Sequence, residues 1–361
     1  MSISTINQPS TKINSMETHA SALVTGGSGY FGSLLVDKLL EKDVTCSILD
    51  IIDAPDRPAD VKLFQTDIRD AKAVKEACKG IDVIYHSVAQ VPLAKNKALF
   101  DSVNIQGTEN ILAAALANGV KKVVYTSSSS IFGVPERNPV TEADTPKPLE
   151  AYGKAKLEGE YLCQKYIDKG LDVSMVRPRT MLGHGRLGIF QILFEWIREG
   201  YNVPVLGKGD NVYQFVHADD LAEACILAAN RPGPELYNCG TDRFGTMRQL
   251  LEELCEHAGT GSKVKGVPAQ PTILAMKATS AMGFSPLGVY HALLYGGSMY
   301  FDISKSQTEL GWQPQYSNSE ALIQSYDWYV NNREAVLSSS GGSHHRSAVK
   351  QGVLSAVKWV L

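Results

Sequence analysis

Residues 25–32 read Thr25-Gly26-Gly27-Ser28-Gly29-Tyr30-Phe31-Gly32. Residues 21–25, Ser-Ala-Leu-Val-Thr, which run into this stretch, form a short apolar run suited to a buried strand. The residues after them, 29–42, carry apolar side chains at 31, 34, 35, 39 and 40, which is a helical period. A glycine run at a strand-to-helix turn has a physical use at each position. Gly26 lets the chain turn sharply, Gly29 lets backbone approach a pyrophosphate, and Gly32 lets the helix pack close to the strand. The helix then begins at Tyr30 and Phe31 with free N–H groups and the positive end of its dipole, which suits phosphate. The stretch predicts a dinucleotide site.

Outward from this turn, strands are expected at 44–49, 61–65, 82–86 and 123–126, with helices at 70–78 and 97–117. Strands alternating with helices, and running apolar instead of alternating, predict a parallel sheet covered on both faces. The fold class is α/β: a Rossmann-type doubly wound parallel sheet, followed by a smaller, mostly helical C-terminal lobe. The second strand ends in Asp50, whose carboxylate can accept both ribose hydroxyls and repels a 2′-phosphate. No Arg or Lys lies between 43 and 56, so NAD is expected over NADP. Asp67 and Ile68, after the third strand, are candidates for the adenine; Asp67 is alternatively a cap for the helix at 70–78.

Beyond 178 the alternation weakens. Helices are expected at 189–199, 219–229, 246–257 and 318–332, and a strand near 213–216. The stretch 267–300 is apolar with one charged residue, Lys277. The expected organisation is a disordered polar extension at 1–20 and a nucleotide-binding core at 21–178, to which parts of 203–240 return. A substrate lobe at 179–335, a flexible linker at 336–346 and an amphipathic tail helix at 347–361 follow.

The net charge of −3 over 361 residues gives no case for nucleic acid as a partner. Six cysteines are scattered without a Cys-x-x-Cys pair, so reduced, buried thiols are expected and no metal site. No stretch approaches the ~20 apolar residues of a spanning helix. The expected location is cytoplasmic. The basic, Trp-bearing segment 347–361 suits peripheral contact with an anionic membrane, or docking on protein.

Tyr152 and Lys156 stand four apart on an expected helix, hence on one face, and follow the serine run 127–130. A tyrosine titrates near ~10, and bringing it to ~7 takes roughly 4 kcal/mol of extra phenolate stabilisation. A neighbouring ammonium and a positive nicotinamide ring are suited to supply it.

These motifs, in order, resemble the extended short-chain dehydrogenase/reductase superfamily, its NAD-dependent epimerase/dehydratase and 3β-hydroxysteroid dehydrogenase group. The match runs from 21 to about 332. Besides the glycine run it includes Asp67-Ile-Arg-Asp70, His86-Ser-Val-Ala89, Asn104-x-x-Gly107-Thr108 and Thr126-Ser-Ser-Ser-Ser-Ile-Phe-Gly133. Tyr152-x-x-x-Lys156, Arg177-Pro178 and Phe215-Val-His-Ala-Asp219 complete it. The resemblance implies Tyr152 as general acid/base and Lys156 as ligand of the nicotinamide ribose that depresses the Tyr152 pKa. It implies Ser128, with Ser127 and Ser129 as fallbacks, as the hydroxyl that holds the substrate oxygen. Ala89 and Asn104 would line the cofactor cleft, with a structural hydrogen bond as the alternative for Asn104. Arg177 would end a strand beside the nicotinamide, and His217 with Asp219 would order the lobe junction. A homodimer is implied as well.

Three departures bear on the substrate, expected to be a small molecule. Sugar dehydratases of this group place Asp-Glu where this chain has Ser129 and Ser130, and neither serine can act as a carboxylic acid in elimination. The stretch before Asp302 lacks the arginine that nucleotide-sugar epimerases offer a diphosphate; Arg179, Arg186 or Arg243 are the substitutes available. The apolar insert 267–300 is similar to the steroid and sterol-decarboxylating branch. The expectation is reversible, NAD-dependent hydride transfer at a secondary alcohol or ketone of a hydrophobic or amphiphilic, sterol- or lipid-like molecule. The alternatives are a nucleotide-sugar epimerase with tightly bound NAD and a non-catalytic NAD-binding scaffold.

Overall fold

The computed structural model describes residues 19–90, 97–188, 190–281 and 296–338. Strand β1 (Ser21–Thr25) leads through the glycine turn into helix α1 (Tyr30–Leu40) and strand β2 (Thr45–Asp50). Then come β3 (Lys62–Gln65), α2 (Ala71–Ala77), β4 (Val83–His86), α3 (Lys97–Asp101), α4 (Gly107–Asn118), β5 (Lys122–Thr126), α5 (Ala151–Ile167) and β6 (Val173–Pro178). The chain continues as β7 (Thr180–Leu182), α6 (Phe190–Arg198), β8 (Val203–Leu206), β9 (Val212–Tyr213), β10 (Phe215–His217), α7 (Ala218–Asn230) and β11 (Glu235–Cys239). Last are β12 (Gly245–Thr246), α8 (Met247–Ala258), β13 (Val264–Val267), α9 (Ala269–Ala281), α10 (Ser304–Leu310) and α11 (Asn318–Ser338).

Seven strands form one sheet in the order β11-β6-β5-β4-β1-β2-β3, every pair parallel. Helices cover both faces, so β4 and β6 are buried at every position. Successive β1 residues serve opposite cores. Val24 packs with Leu35, Val36 and Ala222 on the α1/α7 face. Leu23 packs with Ile111, Leu112 and Cys163 on the α2/α4/α5 face. Strand order reverses between β1 and β4, and the crevice at their carboxyl ends is where such sheets bind ligands.

Several expectations are corrected. The helix expected over 97–117 is interrupted by a π-helical turn, Ser102–Gln106. Asn104 sits in that turn and bonds the backbone of Gln90 in both directions, a tertiary contact that a local period does not encode. The strand expected near 213–216 is two, β9 and β10, parted at Gln214, whose amide bonds Thr241 O and Phe301 N. Residues 336–338, expected in the linker, continue α11, because Val336 is buried and Arg333 pairs with Glu195. His19 and Ala20, expected in the disordered extension, bond Ala229 O and the Asp82 carboxylate.

Within 203–240, β11 joins the main sheet and α7 packs on β5 and β6, while β8, β9 and β10 pair outside it with β13, β12 and β7. The remaining linker, the tail 347–361 and residues 282–295 of the insert 267–300 lie outside the described residues. Among the described residues no helix is long and apolar enough to cross a membrane.

Candidate active site

At the glycine turn, Gly26 holds φ at +73° and donates its N–H to Leu49 O at 2.9 Å. A Cβ on Gly32 would lie 2.0 Å from Gly26 O, so only glycine permits this approach. Gly29 is the N-cap of α1 and brings no side-chain acceptor, and the first turn carries no acid. No side chain of this turn therefore caps the α1 N-terminus, which suits a pyrophosphate acceptor there. Asp50, at the end of β2, accepts the N–H of Ser28 at 3.1 Å and of Ile52 at 3.2 Å, which ties it to the turn. The residues present thus fit a dinucleotide: a donor cradle for phosphates with a carboxylate beside it.

The next candidates fall around this cradle. Asp67 pairs with Arg69 at 2.6 Å, and that hydrogen bond holds its carboxyl below the usual range. It is not the helix cap, because Asp70 accepts the N–H groups of Lys72 and Ala73. The side chain of Ile68 is buried, against Gly107. Ala89 lies half-buried in the loop after β4. Asn104 takes its structural alternative and clamps that loop through Gln90, with bonds of 2.8 and 3.2 Å. His86, at the end of β4, bonds Thr25 Oγ1 (2.8 Å) and Thr108 Oγ1 (3.0 Å). Burial, with the nearby Lys156 charge, pushes its pKa down to about 3, so it stays neutral.

The serine run leaves β5 and turns into a short 3₁₀ segment, Ser129–Phe132, with Ser128 as its N-cap. Glu150 caps α5 by accepting the N–H groups of Tyr152 and Gly153, both at 2.7 Å. That cap sets Tyr152 at the first turn, beside the Ser128 side chain, whose Oγ accepts from Ser130 N (3.2 Å) and Ser130 Oγ (2.9 Å). One turn on, Lys156 Nζ donates to Thr126 O at 2.7 Å and lies 6.0 Å from the Tyr152 ring centre. Burial raises the Tyr152 pKa to about 12, against the Arg186 charge and the neighbouring Ser128 side chain, which lower it. Burial lowers the Lys156 pKa to about 8. Two fallback serines are engaged elsewhere: Ser127 donates to Glu160 (2.6 Å) and Ser129 accepts from Arg179 (2.8 Å).

Arg177 departs from expectation. Its Nε and Nη2 donate to Glu160 at 2.8 and 2.7 Å in a buried pair, and its guanidinium lies over Phe132. It braces the end of β6 and offers those donors to no ligand. Glu160 was missed, although it lies four residues after Lys156, on the same helix face. His217 caps α7 by accepting the Asp219 N–H (3.1 Å) and bonds Gln324 of α11 (2.5 Å), so it ties the junction together. Ligand atoms of His184, His217 and Asp219 lie within 4.8 Å of one another, but both His217 nitrogens are already bonded.

This arrangement can be set beside known proteins. The profile of the NAD dependent epimerase/dehydratase family matches residues 22–240. The chain belongs to that family. It is 52% identical over 341 residues to an uncharacterised protein of Sinorhizobium fredii, covering 94% of this chain and 86% of that one. It is 28% identical to a 3 beta-hydroxysteroid dehydrogenase/Delta 5-->4-isomerase of Mycobacterium tuberculosis, covering 91% and 95%. The crystal structure of Thermus thermophilus UDP-glucose 4-epimerase in complex with NAD superposes with a TM-score of 0.68 at 25% identity, covering 86% of this chain and 99% of that chain. This family member is an enzyme of the short-chain dehydrogenase/reductase type, and NAD is its cofactor.

Proposed function

We propose that the chain catalyses reversible, NAD-dependent hydride transfer at a secondary alcohol or ketone of a hydrophobic or amphiphilic small molecule. The observation that carries this is Tyr152 and buried Lys156 one turn apart on α5, with the Ser128 side chain beside Tyr152, at the sheet edge that also holds the glycine cradle. Ser128 fixes the substrate oxygen. In oxidation Tyr152 takes the carbinol proton as C–H hydride departs; in reduction it returns that proton to the oxygen. Bound NAD, with phosphates at the α1 N-terminus and ribose at Asp50, supplies the hydride acceptor or donor. Below pH ~8 Lys156 keeps its charge, and the Thr126 carbonyl aims it along α5.

Two features support an apolar substrate: the insert 267–300 and the similarity to the mycobacterial steroid dehydrogenase. Exposed Leu116 on α4 and Tyr161 on α5 support the homodimer. The tail 347–361 is the proposed membrane contact. Sugar epimerisation is the second reading, favoured by the likeness to the Thermus epimerase. Elimination chemistry is disfavoured, since Ser129 and Ser130 stand where a carboxylic acid is needed. A panel of lipid alcohols and of UDP- and GDP-sugars, followed at the NADH absorbance band, separates the readings. Net NADH from a lipid alcohol is the expected result. Sugar interconversion without net NADH would replace it with the epimerase.

A further inference from the structure

The hydroxyls of the run 127–130 are tied down in different ways. Ser127 Oγ donates to Glu160 at 2.6 Å, and Ser129 Oγ accepts from Arg179 at 2.8 Å. Ser130 is buried, 2% exposed, and serves Ser128 twice: its hydroxyl donates to Ser128 Oγ at 2.9 Å and its backbone N–H at 3.2 Å. A serine oxygen has two lone pairs and one hydrogen. Both lone pairs of Ser128 Oγ are therefore filled from Ser130, and only its O–H is left to offer. That side chain stands beside Tyr152 and holds the tyrosine pKa down against burial. Ser130 itself is fixed from the other side. Its carbonyl accepts from Gly133 N–H at 3.2 Å and packs on Gly153, the residue after Tyr152. A Cβ on Gly153 would lie 2.4 Å from Ser130 O. Glu150 in turn holds the N–H groups of Tyr152 and Gly153, both at 2.7 Å. The turn that carries Ser130 and the turn that carries Tyr152 are thus one packed unit.

We infer that Ser130 is a positioning residue: it commits the Ser128 hydroxyl to the donor role, so that the reacting oxygen receives a hydrogen bond from Ser128 and exchanges its proton with Tyr152 alone. The inference rests on the oxidoreductase reading and adds a residue that acts through Ser128. In oxidation a carbinol O–H meets no free lone pair at Ser128 and turns to Tyr152, which takes the proton as the C–H hydride passes to NAD. In reduction the carbonyl oxygen meets two donors, Ser128 and Tyr152. Hydride adds to its carbon, Tyr152 gives up the proton, and Ser128 keeps its own. Without the Ser130 hydroxyl one lone pair of Ser128 Oγ is open. Tyr152 can then donate to it, which favours the neutral phenol and turns its proton away from the substrate.

The test uses the NAD-loaded full chain with carbon-13 in its tyrosine rings. The Tyr152 signal is the one lost in Tyr152→Phe, and its movement with pH gives the Tyr152 midpoint. Ser130→Ala should raise that midpoint by about 0.5–1 pH unit, the size of one neutral hydrogen bond. Ser130→Thr keeps the hydroxyl and should stay near the wild type; Ser130→Cys, a weaker donor, should fall between. In a Ser128→Ala background Ser130→Ala should add no further shift, whereas a purely structural Ser130 would shift both backgrounds alike. Thermal unfolding confirms that the variants fold. With the best lipid alcohol of the panel, Ser130→Ala should lower kcat for NADH formation at pH 7 about three- to tenfold with KM within about twofold, and the loss should shrink as pH rises. A midpoint unmoved by Ser130→Ala, a wild-type Tyr152 signal that does not move with pH, or an equal shift in the Ser128→Ala background overturns the inference. So does a shift in both Ser130→Thr and Ser130→Cys as large as that of Ser130→Ala. If the shift needs Ser128 but no alcohol yields NADH, the positioning role stands and the oxidoreductase reading falls. If alcohols yield NADH while Ser130→Ala leaves the midpoint in place, the oxidoreductase reading stands and the positioning role falls.

Discussion

Asp50 combines two demands on one carboxylate. It ties the glycine turn through Ser28 N–H and Ile52 N–H, and it stands where a ribose would meet it. Asp50→Asn keeps an acceptor and removes the charge that repels a 2′-phosphate. The ratio of NAD to NADP affinity should therefore fall about tenfold, measured by fluorescence titration of each cofactor. An unchanged ratio would remove Asp50 from cofactor choice. Tyr152 and Lys156 were legible at this scale because a four-residue spacing on a helix is a geometric statement. Arg177 was not, because what decides its role is Glu160 on another element, 17 residues away in the chain. Asn104 was legible only as a pair of alternatives, since an amide that can serve a ligand can equally clamp a loop.

At the scale of elements, the β1–turn–α1 unit depends on how closely backbone can approach backbone. Gly32→Ala would push a methyl to 2.0 Å from Gly26 O, a fixed atom that no rotamer change can move. The variant should lose about 1–3 kcal/mol of stability and most of its NAD affinity, read from thermal unfolding and cofactor titration. A variant with both properties intact would show that the turn is not what holds the dinucleotide. The strands and helices of the nucleotide half were readable because burial on both faces leaves apolar runs between helical periods. The π-turn at Ser102–Gln106 and the break between β9 and β10 were not. Both are set by side chains, Asn104 and Gln214, that bond backbone far away in the chain. The run of α11 to Ser338 is decided in the same way, by Glu195 receiving Arg333.

Across the whole molecule, the parallel sheet delivers its ligand-binding residues to one edge. Thr25, Asp50, His86, Thr126 and Pro178 are the last residues of β1, β2, β4, β5 and β6. That convergence explains why motifs spread from 25 to 178 act together, and the strand-helix alternation was enough to anticipate it. The charge balance inside the crevice was not readable, because it depends on which arginines find carboxylates once folded: among the described residues Arg177 does, while Arg179 and Arg186 do not. The central claim is that Tyr152 moves the proton while hydride exchanges with NAD, in a site where burial holds the tyrosine near a pKa of about 12 until the positive cofactor lowers it. Oxidation needs the phenolate, so its rate should climb with pH towards that lowered value. The most direct measurement compares the wild type with Tyr152→Phe, using NADH formation from the best lipid alcohol in the panel and NAD binding by fluorescence titration. The account predicts a loss of NADH formation of about 10²–10⁴-fold with NAD affinity unchanged; a Tyr152→Phe enzyme that keeps the wild-type rate and its rise with pH would contradict it.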